Sequence, residues 1–277
     1  MFNLNNNYIC PEGTCNAHLH IIDPIFPNDG KATKQCGTIK EYKKIAVHLN
    51  LDRAVFVQAK TFGKDNTCLI NAIQQFGKDK STGIAVVDNQ ITEQELLKLD
   101  AAGVRGVRFS VWNPNNAVVS FNDCIPLSKK IESLGWNIQL HMSSAQLVAY
   151  KKIIREIPCP IVIDHMGRLN PEQGVDDPAF RCLCELLDTG NVWVKLSGPY
   201  LNTRTKYPWP DATKIARALV NYAPERLVWG SDFPHVTEKI KPTEMELVNQ
   251  IPQWIDSEEK QKKILVENPI ELYNFKK

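Results

Sequence analysis

Short runs of β-branched and apolar residues recur along the chain, and between them lie segments whose apolar positions fall three and four apart. Eight runs read as strands: Asn16 to Ile22, Ala54 to Ala59, Gly83 to Asp88, Gly103 to Phe109, Asn137 to Met142, Pro160 to His165, Val192 to Ser197 and Leu227 to Asp232. The helical period covers Asn66 to Phe76, Glu93 to Ala102, Ile125 to Leu134, Ala145 to Ile157, Ala179 to Leu187 and Ala212 to Tyr222. Thr92 with Glu95 three positions on reads as a capping box, and Gly103 and Gly135 stand where a helix needs a left-handed stop.

Eight strand-and-helix units predict an α/β fold, a (β/α)8 TIM barrel, with residues 1–277 as one domain. A doubly wound open sheet competes, but no strand runs into G-x-G-x-x-G or a G-x-x-x-x-G-K-[ST] loop, so nucleotide binding loses ground. Two irregular stretches, Pro24 to Gly37 and Gly198 to Asp211, follow the first and seventh strands. That is the end from which barrels build their sites, and the stretches read either as a substrate lid or as surface connections.

Composition narrows the partners. The chain has 277 residues, 43% hydrophobic and 23% charged, with a formal net charge of +2. It lacks the dense basic block that nucleic-acid binding requires. No apolar run approaches the roughly 20 residues of a membrane helix, and Met1 to Asn7 lacks the regions of a signal peptide. The expectations are therefore no nucleic acid, no membrane and a cytoplasmic location, with a homo-oligomer left open. Eight cysteines scattered along so long a chain are expected to be reduced thiols. Cys182 and Cys184, two apart on a helix, do not face each other and read as packing.

The polar residues at the strand ends carry the chemistry. Strict alternation would put Asn16, His18 and His20 on the barrel-facing side, with Cys15, Ala17 and Leu19 on the other. His141 ends the fifth strand, His165 the sixth and Asp232 the eighth, with His235 just beyond. Imidazoles and a carboxylate converging on one rim make a ligand set that zinc accepts with a position left for water; the alternative is that they hydrogen-bond one another. In "GVRGVRFS" a regular strand turns Arg108 to the mouth, where its fork can clamp a carboxylate, and leaves Arg105 for a helix carboxylate. Ser197 can donate to a substrate. Lys195, on the same face, must be charge-paired at the site or lie on the outer side. Arg204, in the next loop, reads as an anion ligand or as a solvated side chain.

In this order, "NAHLHII", "GVRGVRFS", "LHMS", "IDHMGR", "VKLSGPY" and "WGSDFPH" resemble the amidohydrolase superfamily, in its branch of TIM-barrel lactonases that includes the 2-pyrone-4,6-dicarboxylate lactonases. The resemblance implies a hydrolase of an anionic lactone: a pyrone dicarboxylate, a muconolactone or a sugar-acid lactone. His18 and His20 match the first-strand pair, His141 and His165 the later histidines, and Asp232 the catalytic aspartate. Asn16 stands where relatives often carry an acid, and strand four offers arginines instead of a metal-bridging lysine or glutamate, so a binuclear centre is not implied.

The expected mechanism has Asp232 as general base on the attacking water, with His18, His20 and His165 polarising the carbonyl. Arg108, His141, Ser197, His235 and Arg204 would bind substrate. Either no cofactor is needed or one divalent ion, zinc, is held by His18, His20, His141 and Asp232. The competing functions are a zinc-dependent decarboxylase of the same superfamily and a non-catalytic carboxylate-binding barrel.

Overall fold

The computed structural model describes residues 8–27 and 36–276. Eight strands form a parallel sheet in sequential order: β1 (Cys15–Leu19), β2 (Arg53–Val57), β3 (Ser81–Ala85), β4 (Val104–Ser110), β5 (Asn137–His141), β6 (Ile161–Ile163), β7 (Val192–Leu196) and β8 (Leu227–Trp229). The ring closes just past β8. Asp232 donates its backbone N–H to His18 O at 2.8 Å, and His20 donates to Phe233 O at 2.7 Å. Gly230 makes that approach possible, because a Cβ there would lie 2.6 Å from both the backbone nitrogen and the Cβ of His18. The fold is a (β/α)8 barrel.

Seven helices fill the connections: α1 (Ile39–Leu49), α2 (Thr67–Phe76), α3 (Glu93–Ala102), α4 (Cys124–Ile131), α5 (Ser144–Arg155), α6 (Pro178–Leu187) and α7 (Pro210–Tyr222). The capping box of Thr92 and Glu95 forms at the start of α3, and Gly103 and Gly135 adopt the left-handed conformation at helix ends. Helix α1 was not expected from the pattern; its charged outer face hides a narrow stripe of Ile39, Tyr42, Ala46 and Leu49, and Thr38 and Glu41 supply a second capping box. Cys182 and Cys184 are buried in α6 without a disulfide between them.

Two apolar layers hold the barrel. Outward strand residues such as Phe56, Phe109, Leu140 and Ile163 pack against the helices. Inside, Cys15, Ala17, Val55, Val57, Ile84, Val162, Trp193 and Val228 form a core closed from below by the C-terminal residues Leu272, Tyr273 and Phe275. Burying this surface is the main stabilising term of such a fold. Above that core the interior turns polar, with Gln139, Lys195 and Asp164 fully or almost fully buried.

The strict alternation expected for β1 fails at a bulge. Asn16 pairs in register with Ala54 but Leu19 with Phe56, so one residue is extra between them. Below the bulge Cys15 and Ala17 face the interior, and Asn16 faces away, gripping Ser231 through Nδ2 to Oγ at 2.7 Å and Oδ1 from the Ser231 N–H at 2.9 Å. Above it His18 returns to the interior, where it meets Lys195. Asn16 thus clamps β1 to the turn after β8.

Of the two irregular stretches, residues 28–35 lie outside the described residues, and what is described flanks them: Ile22 and Gly37 exchange backbone hydrogen bonds. The stretch after β7 folds back into the barrel mouth as a short turn over Pro199–Leu201. No helix among the described residues is long and apolar enough to cross a membrane.

Candidate active site

Strands β6 and β8 end earlier than their sequences suggest, at Ile163 and Trp229, so His165 and Asp232 sit in tight turns beyond them. His165, Met166 and Arg168 all have φ near +50°, and Asp232 and His235 have φ of +64° and +57°. Non-glycine residues in that region cost about 1 kcal/mol each or more, and such costs concentrate at functional sites. These turns aim His165 and Asp232 inward. Gly198, at φ +56°, lets the β7 turn pass His165, whose Nδ1 would be 3.0 Å from a Cβ there.

The floor of the mouth is a buried charge network. Lys195 Nζ hydrogen-bonds His18 Nδ1 at 2.7 Å and Gln139 Oε1, and stands 3.1 Å from Asp164 Oδ1. Arg108 Nε donates to Asp164 Oδ2 at 2.9 Å. Burial would raise the Asp164 carboxyl, but Lys195 and Arg108 overcome it and hold it well below the usual range. Burial pushes Lys195 down to about 8, with Arg108 acting the same way and Asp164 opposing. At neutral pH the pair is charged, and Lys195 lies on the interior side, paired at the site.

Above this floor stand His18, His20 and Asp232. His18 Nε2 lies 3.3 Å from His20 Nε2 and 3.4 Å from Asp232 Oδ1, and His20 Nε2 lies 3.5 Å from the same oxygen. The proton positions follow from the outer partners. An ammonium can only donate and a carboxylate only accept; His18 Nδ1 lies 2.7 Å from Lys195 Nζ and 3.4 Å from Asp164 Oδ1, and the shorter contact makes it an acceptor, which puts the ring proton on Nε2. A carbonyl can only accept, so His20 Nδ1 donates to Val57 O at 2.8 Å and its Nε2 carries a lone pair. One proton, on His18 Nε2, is therefore shared towards His20 and Asp232.

A tetrahedral ion with bonds of roughly 2.0–2.1 Å has ligand atoms about 3.4 Å apart, so the spacing of these three atoms admits a small divalent cation. The proton pattern opposes one. A ligand histidine normally donates its second N–H to an acceptor, as His20 does; His18 turns that nitrogen to the Lys195 ammonium at 2.7 Å as well as to the Asp164 carboxylate at 3.4 Å, and the nearer ammonium favours the proton on Nε2, the atom a metal would need. A second group, His18 with Asp164 and His165, also converges, but Asp164 is committed to Arg108 and Lys195.

The Asp232 carboxyl is held well below its usual range: burial opposes this, and the facing His165, His18 and His20 side chains outweigh it. Its Oδ2 accepts from Tyr200 Oη at 2.7 Å, which leaves Oδ1 facing the imidazoles. Burial holds His165 well below the usual histidine range, and its Nδ1 meets Ser197 Oγ at 2.9 Å. His141 is pushed down to about 3, by burial first and then by Arg108. Its Nδ1 is paired with Ser110 Oγ at 3.0 Å, and its buried Nε2 finds no hydrogen-bond partner among the described residues.

The mouth thus brings together His18, His20, Arg108, His141, His165, Ser197 and Asp232. His141 is not in either three-residue group of converging ligand atoms. His235 spends both nitrogens on protein, Nδ1 on Tyr200 Oη at 3.0 Å and Nε2 on Glu244 Oε1 at 2.9 Å. Arg204 is exposed and ion-paired with Glu172, and Arg105 pairs with Asp100 of α3 at 2.9 Å. The sequence reading passed over Asp164, Tyr200, Glu244 and Arg168, whose guanidinium lies 4.9 Å above the Trp112 ring. Asp164 could have been found as the acid beside His165 in "IDHMGR"; nothing local marks Glu244.

Residues 15–275 match the amidohydrolase family, and the chain belongs to that family. Among curated relatives it is 31% identical to a 2-pyrone-4,6-dicarboxylate hydrolase of Comamonas testosteroni, over 95% of this chain and 90% of that one. It is 29% identical to a 4-sulfomuconolactone hydrolase of Hydrogenophaga intermedia, over 96% and 90%. A crystal structure of a probable 2-pyrone-4,6-dicarboxylic acid hydrolase from Acinetobacter baumannii, with citric acid bound, superposes with a TM-score of 0.83. That match has 28% identity and covers 95% of this chain and 100% of the other.

Proposed function

We propose that this protein hydrolyses an anionic lactone, with Asp232 as general base. The observation that carries the reading is the ionised Asp232 Oδ1, turned into a mouth lined by the imidazoles of His18, His20, His141 and His165 and reached by Arg108. A carboxylate so placed can take a proton from water as that water attacks the ring carbonyl. His18 Nε2–H lies beside Asp232 and can donate to the oxyanion that forms. Ser197 can donate to His165 Nδ1, which puts the His165 proton on Nε2 as a second donor. Donors already aimed at developing charge need no reorganisation during the reaction.

Arg108 and Arg168, with the unpartnered His141 Nε2, suit a carboxylate or sulfonate on the ring. Both curated relatives are named for lactones with such groups, and the Acinetobacter structure holds a polycarboxylate. A divalent ion, where bound, would be held by His18, His20 and Asp232 and would lower the pKa of a coordinated water. The His18 proton argues for hydrolysis without it.

The test is a panel of pyrone carboxylates, muconolactones and sugar-acid lactones, followed by proton release and ring absorbance before and after chelation. Ring opening that survives chelation supports the reading. Carbon dioxide release from an unsaturated dicarboxylate would favour the decarboxylase, and tight binding of every lactone without turnover would leave a carboxylate-binding barrel.

A further inference from the structure

Arg168 differs from its neighbours at the mouth. Arg108 and Arg204 each hold a carboxylate, of Asp164 and Glu172, whereas Arg168 makes no ion pair among the described residues and lays its guanidinium over the Trp112 ring at 4.9 Å. It is half-buried, and near enough to His141 and Asp232 for its charge to act on both. Both partners are held by backbone. Trp112 follows β4, where its N–H and that of Val111 donate to His141 O at 3.0 and 2.8 Å. Gln146, from the capping box that opens α5, donates its side-chain amide to Val111 O at 2.8 Å. Arg168 ends the left-handed turn after β6, at φ +51°, behind Gly167, whose N–H closes on Asp164 O at 3.1 Å. The ends of β4 and β6 thus deliver an indole and a guanidinium to one contact. Trp112 stays 47% exposed, so the core is not what holds it there.

We infer that Trp112 is a positioning residue: its ring holds Arg168 by one face and leaves the in-plane N–H edge of the guanidinium turned to the mouth, to take a carboxylate or sulfonate of the substrate. The inference rests on the lactonase reading above. A guanidinium has two kinds of surface. Its faces are weakly hydrated and stack on aromatic rings, while its N–H groups lie in the plane, in a fork that matches a carboxylate. A protein carboxylate would engage that fork, as Asp164 engages Nε of Arg108. An indole engages only a face.

The contact also restricts a long side chain before substrate arrives, so less ordering remains to oppose binding. Its effect falls on affinity. The anionic group on the ring keeps its charge while the ring opens, so Arg168 holds it equally in the ground state and in the transition state. Removing such uniform binding raises KM and leaves kcat nearly as it was.

The experiment is a double-mutant cycle of Trp112→Leu, Arg168→Met and the two together, with Trp112→Phe as the conservative variant, on an anionic lactone that the unaltered enzyme opens. Trp112→Leu should raise KM about 3- to 30-fold, the range of a cation–π contact, with kcat changed by less than about twofold. Trp112→Phe should keep most of the affinity, and Trp112→Leu should have no further effect on kcat/KM once Arg168 is Met. An unchanged KM in Trp112→Leu would overturn the inference. So would an undiminished Trp112→Leu effect in the Arg168→Met background, which would mean that the indole touches the substrate itself. If the unaltered enzyme opens no lactone, the lactonase reading fails; the dissociation constant of citrate, expected to be several-fold weaker in Trp112→Leu and equal if the inference is wrong, then decides the matter separately. Thermal melts establish that each variant folds, and Trp112→Phe beside Trp112→Ala keeps the comparison if Trp112→Leu does not.

Discussion

Lys195 Nζ lies 2.7 Å from His18 Nδ1, with both side chains wholly shielded from solvent. A buried ammonium against an imidazole fixes where that imidazole keeps its proton, and so makes His18 a donor to the mouth. Replacing Lys195 by Met should free His18 to change tautomer and strip Asp164 of one of its two cations. The expected outcome is a kcat lower by about two orders of magnitude, the scale of losing an aimed donor. Nitrogen NMR of the histidines should show Nδ1 of His18 unprotonated in the natural protein and not in the variant; an unchanged spectrum would sink the assignment.

The same contact sets an alkaline limit on activity. Lys195 is depressed to about 8, so its charge is present below that pH and lost above it. The profile of kcat/KM should fall on the alkaline side near pH 8, and Lys195→Met should flatten that limb. A limb that persists in the variant belongs to another group.

Asp232→Asn keeps the shape of the side chain and removes its basicity. Turnover is expected to fall by about 10²–10⁴, the usual contribution of general-base catalysis. Far-ultraviolet circular dichroism should be unchanged. Activity near the natural level would remove Asp232 from the mechanism.

Stability should fall in mild acid. His20, His141 and His165 all have folded pKa values lowered by burial, that of His141 to about 3. Below about pH 6.5 the unfolded chain takes up protons that the fold refuses, so folding is penalised by up to about 1.4 kcal/mol per pH unit for each histidine. This loss begins below the unfolded value and continues down to the folded one. Urea midpoints measured at pH 7.5 and pH 5.0 should show a clear drop at the lower pH, and equal midpoints would mean these histidines are protonated in the fold.

Gly230→Ala tests the closure of the barrel. The added methyl would sit 2.6 Å from the His18 backbone nitrogen and Cβ, where something must move. A destabilisation of about 1–3 kcal/mol is expected from the overpacking, together with lost activity as His18 is displaced. A variant with the natural melting temperature and activity would show that β1 and β8 separate freely.

The barrel was legible from the sequence because it is written in local pattern: eight apolar runs at regular intervals, each too short for anything but a strand. Helix α1 escaped because its buried stripe is narrow and its lysines dominate the average. Histidines and an aspartate at strand ends were visible for the same local reason, and they mark the mouth wherever the strands run. The sequence alone therefore determined the architecture and marked the histidines and the aspartate that meet at the mouth, but not Asp164 or Tyr200, which join them there. Tertiary structure alone decided how they are used. The β1 bulge turns Asn16 away and His18 inward, since one extra residue reverses the facing of everything after it. The turn after β8 carries Asp232 past its strand and onto Tyr200, and a lysine from β7, some 177 residues from His18 in the chain, fixes the proton of that histidine. Proton positions depend on which donors and acceptors meet across the barrel, and no spacing along a single strand contains them.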